Sequence, residues 1–250
     1  SVIAQAGAKG RQLHKFGGSS LADAKCYLRV AGIMKEYSQA GDMMVVSAAG
    51  STTNQLISWL KLSQSDRLAA HQVQQSLRRY HTELIGGLVE PAAADTLIAA
   101  FIHDLERLAG LLDGGVSEAV YAEVVGHGEV WSARLMAAVL NQLGMEAAWL
   151  DARAFLRAER AAQPQVDEGL SYPLLQQLMA QHPNKRLVVT GFISRNQAGE
   201  TVLLGRNGSD YSATQIGALA GASRVTIWSD VAGVYSADPR KVKDACLLPL

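Results

Sequence analysis

The stretch DMMVVSAAG, residues 42–50, decides the fold. Met43 to Val46 are apolar without interruption, the pattern of a strand buried on both faces of a parallel sheet. Just upstream, RQLHKF (residues 11–16) reads as a second strand, and between the two Leu21 to Ser38 reads as a helix. Its apolar stripe is Leu21, Ala24, Leu28, Ala31 and Met34 or the Lys35 stem, at helical spacing. From Thr53 to about Gly144 the signals are helical: NQLISWLKLS (54–63), DRLAAHQVQQSLRRYHTELIGGL (66–88), a helix opened by Pro91, and Ser117 to Leu143. Strands return in EAAWLD (146–151) and RLVVTGFI (186–193), the latter running into a hairpin around Asn196 to Gly199 and then ETVLLG (200–205). A helix from Ser209 to Ala220 and a strand RVTIWSD (224–230) complete the pattern. Strands alternating with helices imply an α/β sandwich on a mostly parallel central sheet.

Composition narrows the function classes. Lysine plus arginine and aspartate plus glutamate both number 23, so no basic field points to nucleic acid, and an anionic ligand must be met by local groups. No apolar run approaches the roughly 18 to 20 residues that span a bilayer, and the opening SVIAQAGAKGRQ lacks the apolar middle of a signal peptide. The expectation is a cytoplasmic protein with no membrane partner. Cys26 and Cys246 have no metal-ligand spacing and are read as free thiols, so no protein-held metal is expected. Residues 1–10 are expected to form a loose arm ahead of a single catalytic domain, 11–250.

In open parallel sheets, ligands bind where strands end and helices begin. Five such stretches carry the chemistry. In KFGGSS (15–20), Gly17 and Gly18 bare the backbone N–H groups, Ser19 or Ser20 can cap the following helix, and Lys15 can reach a phosphoryl group as a point charge. A plain strand-to-helix turn is the alternative; neither GxxxxGK[ST] nor GxGxxG is present. In VVSAAGSTTN (45–54), Ser47 ends a strand, and Thr53 or Ser51 stands at a helix start, as a substrate contact or a simple cap. In EVVGHGEVW (123–131), two glycines in a helical stretch each cost about 1 kcal/mol relative to alanine. Either the helix starts or bends at Gly126 to Gly128 and carries Glu129 to a substrate ammonium, or two helices cross closely; His127 reads as a packed or solvent-facing residue, not a base. In LLGRNGSDYSA (203–213), Arg206 sits at the mouth of a turn that leads to Ser209 and Asp210 at a helix N-cap, and its planar fork suits a carboxylate or phosphate. In IWSDVAGVYSADPR (227–240), Ser229 and Asp230 end a strand, Tyr235 can pack on a base and Arg240 can meet a phosphate.

Taken in order, KFGGSS, VVSAAGSTTN, GHGE, GRNGSDYSA and WSDVAGVYSADPR resemble the aspartokinase branch of the amino-acid kinase family, from Arg11 to about Arg240. Asn207 stands where many aspartokinases have glycine, and the GRNGSD form resembles the kinase portion of bifunctional aspartokinase/homoserine dehydrogenases of the methionine-branch type. Ser229 replaces a commoner threonine and keeps the hydroxyl. The resemblance implies a three-layer αβα sandwich of the amino-acid kinase, carbamate kinase-like form. It implies transfer of the ATP γ-phosphoryl group to the β-carboxylate of L-aspartate, giving 4-phospho-L-aspartate for lysine, threonine and methionine synthesis. Lys15 would be the catalytic lysine and Asp210 would orient catalytic groups or the amino-acid substrate. Gly17, Gly18 and Ser19 would line the phosphates; Ser229, Asp230, Tyr235 and Arg240 would hold the nucleotide; and Ser47, Thr53, Glu129, Arg206 and Ser209 would surround aspartate. ATP would come with Mg²⁺. NAD(P) would serve only a homoserine dehydrogenase domain outside this chain, where the family's last kinase elements and regulatory domains are also expected. A homo-oligomer is suggested by likeness alone. Sister kinases acting on acetylglutamate or glutamate share the fold, and a non-catalytic nucleotide-binding regulatory domain is the rival from another class.

Overall fold

The computed structural model describes residues 10–205 and 207–229 and the course of strand Cys246–Leu248. Four expected site residues (Arg206, Asp230, Tyr235 and Arg240) and the expected N-terminal arm, Gly10 apart, lie outside the described residues. The run that opened the sequence reading forms β2 (Met43–Val46), with all four side chains fully buried. Removing each such side chain from water contributes roughly 1.5–3 kcal/mol before the cost of ordering it. β2 lies between β1 (Gln12–Phe16) and β4 (Arg186–Thr190), parallel to both. The six-stranded sheet runs β3 (Ala147–Leu150), β4, β2, β1, β7 (Arg224–Trp228) and β8 (Cys246–Leu248), and β8 alone is antiparallel to its neighbour.

Alternation along the strands feeds two cores. Leu13, Val45, Leu187, Val189 and Val225 face one side, where Leu175 of α7 (Glu168–Ala180) and Ala213 and Ile216 of α8 (Gly208–Leu219) meet them. Phe16, Met44, Val46 and Val188 face the other, against α1 (Ala24–Tyr37) and α6 (His127–Gln142). Helices on both faces make the three-layer αβα sandwich. Beyond the second layer α2 (Thr52–Ser63), α3 (Arg67–Gly86), α4 (Pro91–Asp113) and α5 (Glu118–Val125) share a third apolar core around Leu56, Trp59, Leu77, Phe101 and Leu108.

Several local readings need correction. The helix expected from Leu21 begins at Ala24, capped by the Asp23 carboxylate, which accepts from the Cys26 N–H at 2.9 Å, and neither Ser19 nor Ser20 caps it. Gly18–Leu21 is a 3-10 turn instead. The buried face of α1 is Cys26, Tyr27, Val30, Ala31, Ile33 and Met34; of the expected stripe Leu21, Ala31 and Met34 lie in the core and Ala24 packs against it, while Leu28 is exposed. The stretch 117–143 is two helices broken at Gly126. RLVVTGFI is two strands: Phe192 takes φ 73°, and the chain leaves the main sheet to form the hairpin β5 (Ile193–Arg195) and β6 (Thr201–Leu203). The helix α7 was not foreseen, because Gly169 and Pro173 interrupt its signal; Asp167 caps it.

Candidate active site

The parallel sheet brings the carboxyl ends of β1, β2 and β4 to one rim, and α8 starts against it. The turns after β1 and β2 are laced together. The Gly50 N–H donates to the carbonyls of Gly18 (3.2 Å) and Leu21 (3.1 Å), and Gly50 itself holds φ +50°. A Cβ on Gly18 would lie 2.9 Å from the Gly50 carbonyl oxygen and 3.2 Å from that of Ala48, so only glycine fits there. Lys15, the penultimate residue of β1, folds its ammonium back over this turn: a Cβ on Gly17 would sit 3.4 Å from Lys15 Nζ. That Nζ lies 2.7 Å from Asp210 Oδ1.

Asp210 and Ser209 belong to the first turn of α8, whose N-cap is Asn207 in the left-handed conformation, φ 54°, with no side-chain capping bond. The expected capping role of Ser209 or Asp210 is therefore corrected, and both side chains turn to the rim instead. The Ser47 hydroxyl donates to Ser209 Oγ at 3.1 Å, joining β2's end to α8's start. Gly191, at the end of β4, makes room: a Cβ there would lie 2.7 Å from Ser209 Oγ.

The third wall comes from the break between α5 and α6. Gly126 is pressed against the hairpin, where a Cβ would meet Ile193 Cγ2 at 2.5 Å and Leu203 Cδ2 at 3.0 Å. Gly128 is pressed against Ala48 and Thr52, where a Cβ would meet their side chains at 2.7 and 3.0 Å. The helix does break at Gly126, and Gly128 does pack closely on the start of α2, which together carry Glu129 inward. Glu129 is buried; its Oε2 accepts from the Ala48 N–H at 3.2 Å, and its Oε1 has no hydrogen-bond partner among the described residues. Burial pushes its carboxyl up to about 8, against the opposing pull of the Ala48 N–H, its own N–H and the Lys15 charge.

These groups line one open cavity of about 320 Å³, together with Gly17, Gly18, Gly50, Thr53, Phe192, Gly205, Asn207 and Gly208. Eight expected residues therefore converge: Lys15, Gly17, Gly18, Ser47, Thr53, Glu129, Ser209 and Asp210. Thr53 lines the wall and does not cap α2; at that helix start it is Thr52 whose hydroxyl turns back, to the Ala49 carbonyl at 2.6 Å. Ser19 is exposed and stands outside the lining, and Ser229 is exposed at the end of β7, one strand beyond β1. Arg206 is outside the described residues, but its neighbours Gly205 and Asn207 both line the cavity. Phe192 escaped the sequence reading. Its left-handed backbone, with its N–H donating to Ser212 Oγ at 2.9 Å, is invisible in a run that looks like a plain strand.

Charge balance in this cavity suits anions meeting a cation and a carboxylic acid side by side. Among the described residues no three His, Cys, Asp or Glu side chains stand together to hold a metal ion. No helix among them is long and apolar enough to cross a membrane. Buried His14 and His81, both held near 4 by desolvation, lie in apolar or aromatic surroundings away from the lining.

The model of the amino acid kinase family matches residues 10–250. Bifunctional aspartokinase/homoserine dehydrogenase 2 of Escherichia coli (strain K12) is 86% identical over the whole chain, which covers 31% of that protein. The aspartokinase of Chlamydia pneumoniae is 34% identical over 95% of the chain, which covers 51% of it. This chain thus spans between about a third and a half of those two relatives. Among solved structures, E. coli aspartokinase III in complex with lysine and aspartate is similar with a TM-score of 0.80 at 28% identity, over 94% of this chain and 53% of that one. The same enzyme in complex with aspartate and ADP has a TM-score of 0.79 at 29% identity, with the same coverage. A sheet rim that gathers a lysine, two facing glycine turns and a buried carboxyl, within a sequence matched from end to end, fixes the lineage: the chain belongs to the amino acid kinase family.

Proposed function

We propose that this chain is an aspartate kinase domain, transferring the γ-phosphoryl group of ATP to the β-carboxylate of L-aspartate to give 4-phospho-L-aspartate. The observation that carries this reading is the pairing, in one cavity, of the Lys15 ammonium with a buried Glu129 whose second carboxyl oxygen has no partner among the described residues. The orphan oxygen is an acceptor waiting for an ammonium, and lysine is a cation placed for a phosphoryl group. Supporting the choice of aspartate are the 86% identity to a bifunctional aspartokinase and the likeness to an aspartokinase that binds aspartate and ADP.

The acceptor carboxylate has a reference pKa near 3.9 and is ionised at neutral pH, so the reaction needs no general base. The obstacle is repulsion: two like unit charges about 4 Å apart cost about 4 kcal/mol at an effective dielectric near 20. Lys15 and the N–H groups of the Gly17–Gly18 turn offset that repulsion where charge develops. Mg²⁺ bound with ATP would neutralise phosphate charge. Glu129 would accept the α-ammonium of aspartate and Arg206 its α-carboxylate, with Ser47, Thr53 and Ser209 closing the pocket and the β-carboxylate left facing the phosphate. Asp210 would hold Lys15 in place. Ser19, Ser229, Asp230, Tyr235 and Arg240 would serve the nucleotide.

The same reading takes the protein to be a cytoplasmic homo-oligomer, and the 86% identity to a bifunctional relative supports a homoserine dehydrogenase domain, and with it an NAD(P) site, in the longer protein. The test is hydroxamate trapping of acyl phosphate from ATP, Mg²⁺ and L-aspartate, with acetylglutamate and glutamate run in parallel. Hydroxamate formed from aspartate alone is the expected result; turnover only with another acceptor sinks the assignment.

A further inference from the structure

One buried charged cluster takes no part in the chemistry above, yet joins the two walls of the cavity. Glu123, in the last turn of α5, accepts at Oε2 from the Thr201 hydroxyl (2.6 Å) and from Arg153 Nη1 (3.0 Å). Arg153 Nη1 also donates to Thr201 Oγ1 at 3.2 Å, so three groups from three segments close a triangle. Asp151 anchors Arg153 from below, through Nε at 3.0 Å and Nη2 at 2.7 Å, and Arg107 of α4 meets the other Glu123 oxygen at 3.1 Å. Arg153 and Thr201 are buried.

What the triangle connects matters. Glu123 lies three residues before Gly126, where the chain turns to deliver Glu129. Thr201 opens β6, which runs directly into Leu204 and Gly205 and so into the turn bearing Arg206, Ser209 and Asp210. Leu203 of the same strand is in the close contact with Gly126. The segment that delivers Glu129 and the segment that leads into the Gly205–Asp210 turn are thus tied by apolar packing at Gly126 and by this polar triangle, outside the cavity lining.

We propose that Glu123, Thr201 and Arg153 form a positioning clamp that sets the span between Glu129 and the Gly205–Asp210 turn, and through it the affinity for the amino-acid acceptor. The proposal rests on the function proposed above and deepens it. Clamp residues touch no substrate; they act through the walls they join. Because the Gly17–Gly18 turn is held by the Gly50 N–H and not by β6, loosening the clamp should weaken the acceptor's binding far more than the nucleotide's.

The test uses Thr201→Val, which keeps the shape and removes the hydroxyl, and Thr201→Ser, which restores it, each in the full-length protein. Thr201→Val is expected to raise the aspartate KM by about tenfold or more, since small misplacements of gripping groups are costly, with the ATP KM within about twofold. Thr201→Ser should recover most of the loss. Glu123→Gln should reproduce it, and the double variant should be no worse than the poorer single one, because both remove one device. Amide hydrogen exchange gives a readout independent of turnover: residues 126–130 and 203–205 should speed up together in Thr201→Val and slow again in Thr201→Ser. An unchanged aspartate KM, or equal rises in both KM values, overturns the clamp. A parent enzyme that ignores aspartate overturns the proposed function instead, and the clamp then stands or falls on the exchange pattern. Should Thr201→Val fail to melt cooperatively, Glu123→Gln decides by the same measures.

Discussion

Lys15 and Asp210 meet at 2.7 Å, the first carried on the last turn-facing position of β1 and the second in the first turn of α8, nearly two hundred residues later. Lys15 is mostly buried and Asp210 is nearly half exposed, so the pair is asymmetric: the lysine is hemmed in by its surroundings and the aspartate faces solvent. That asymmetry is what a cation fixed for catalysis and steered by a neighbour should show.

Removing the lysine should therefore cost rate and little stability. Lys15→Ala is expected to lower kcat by roughly 10²- to 10³-fold, the scale seen when a group aimed at developing charge is deleted. A half-exposed ion pair contributes no more than about 1 kcal/mol, so the melting temperature should fall by only a few degrees. Lys15→Arg should not rescue, because a planar fork replaces a point charge above Gly17. Steady-state kinetics beside a melting curve settles it, and near-normal kcat in Lys15→Ala removes the residue from the mechanism.

Glu129 ties acceptor binding to pH. With its carboxyl held up to about 8 by burial, the free enzyme must give up a proton there before an ammonium can pair with it. The aspartate KM should fall as pH is raised from 6 toward 8, and Glu129→Gln should show a high KM without that slope. Stability moves the other way. The folded-state value lies above the unfolded one, so the neutral carboxyl's contribution is complete below the unfolded value of 4.5 and is lost as pH rises through about 8. Glu129→Gln should then flatten the stability profile between those limits and match or exceed the parent at pH 8. Melting curves at pH 5 and 8 give the comparison; an equally steep decline in the variant would falsify the assignment.

Close glycine contacts separate the two halves of the cavity. Gly18→Ala drives a methyl against the carbonyl oxygens of Gly50 and Ala48, backbone atoms that cannot swing away. The expected result is a raised ATP KM with the aspartate KM little changed. Gly128→Ala drives a methyl against Ala48 and Thr52 and pushes the helix bearing Glu129 outward. Overpacking of that kind costs about 1–3 kcal/mol, and here it should raise the aspartate KM instead. Identical kinetic signatures from the two variants would mean that the turns move as one body.

Sheet and rim were legible because their signals are local. Met43 to Val46 announces a strand buried on both faces by composition alone, and Gly17, Gly18 and Gly128 are glycines for reasons that show as exceptions to their surroundings. What escaped depends on contacts that composition does not encode. Phe192 breaks an apolar run by its backbone angle, and the break sends Ile193 into a separate hairpin. On α1 the expected stripe differs at one position, Leu28, which is apolar yet exposed, while Tyr27 turns inward to share a hydrogen bond with Ser132 at 2.8 Å. Asp23 and Asn207 took helix-start positions that nearby serines seemed to claim, which left Ser209 free to meet Ser47. The Glu123–Thr201–Arg153 triangle draws on three segments far apart in order, so no single stretch announces it.

Arg206 completes the proposed grip on the acceptor. Its neighbours Gly205 and Asn207 line the cavity, both with positive φ, and this turn is where a fork-shaped cation can face an α-carboxylate. Deleting one partner of a desolvated charge pair costs about 2–5 kcal/mol, so Arg206→Ala should raise the aspartate KM by about 30-fold or more and leave the ATP KM nearly unchanged. A substrate comparison isolates the contact. β-Alanine keeps the ammonium and the phosphate-accepting carboxylate of aspartate and lacks only the α-carboxylate, so the parent should strongly prefer aspartate and Arg206→Ala should lose most of that preference. Arg206→Lys should restore charge but not the paired geometry, and so recover only part of it. If Arg206→Ala still favours aspartate over β-alanine as strongly as the parent does, some other group grips the α-carboxylate, and the acceptor's orientation in the cavity has to be turned around.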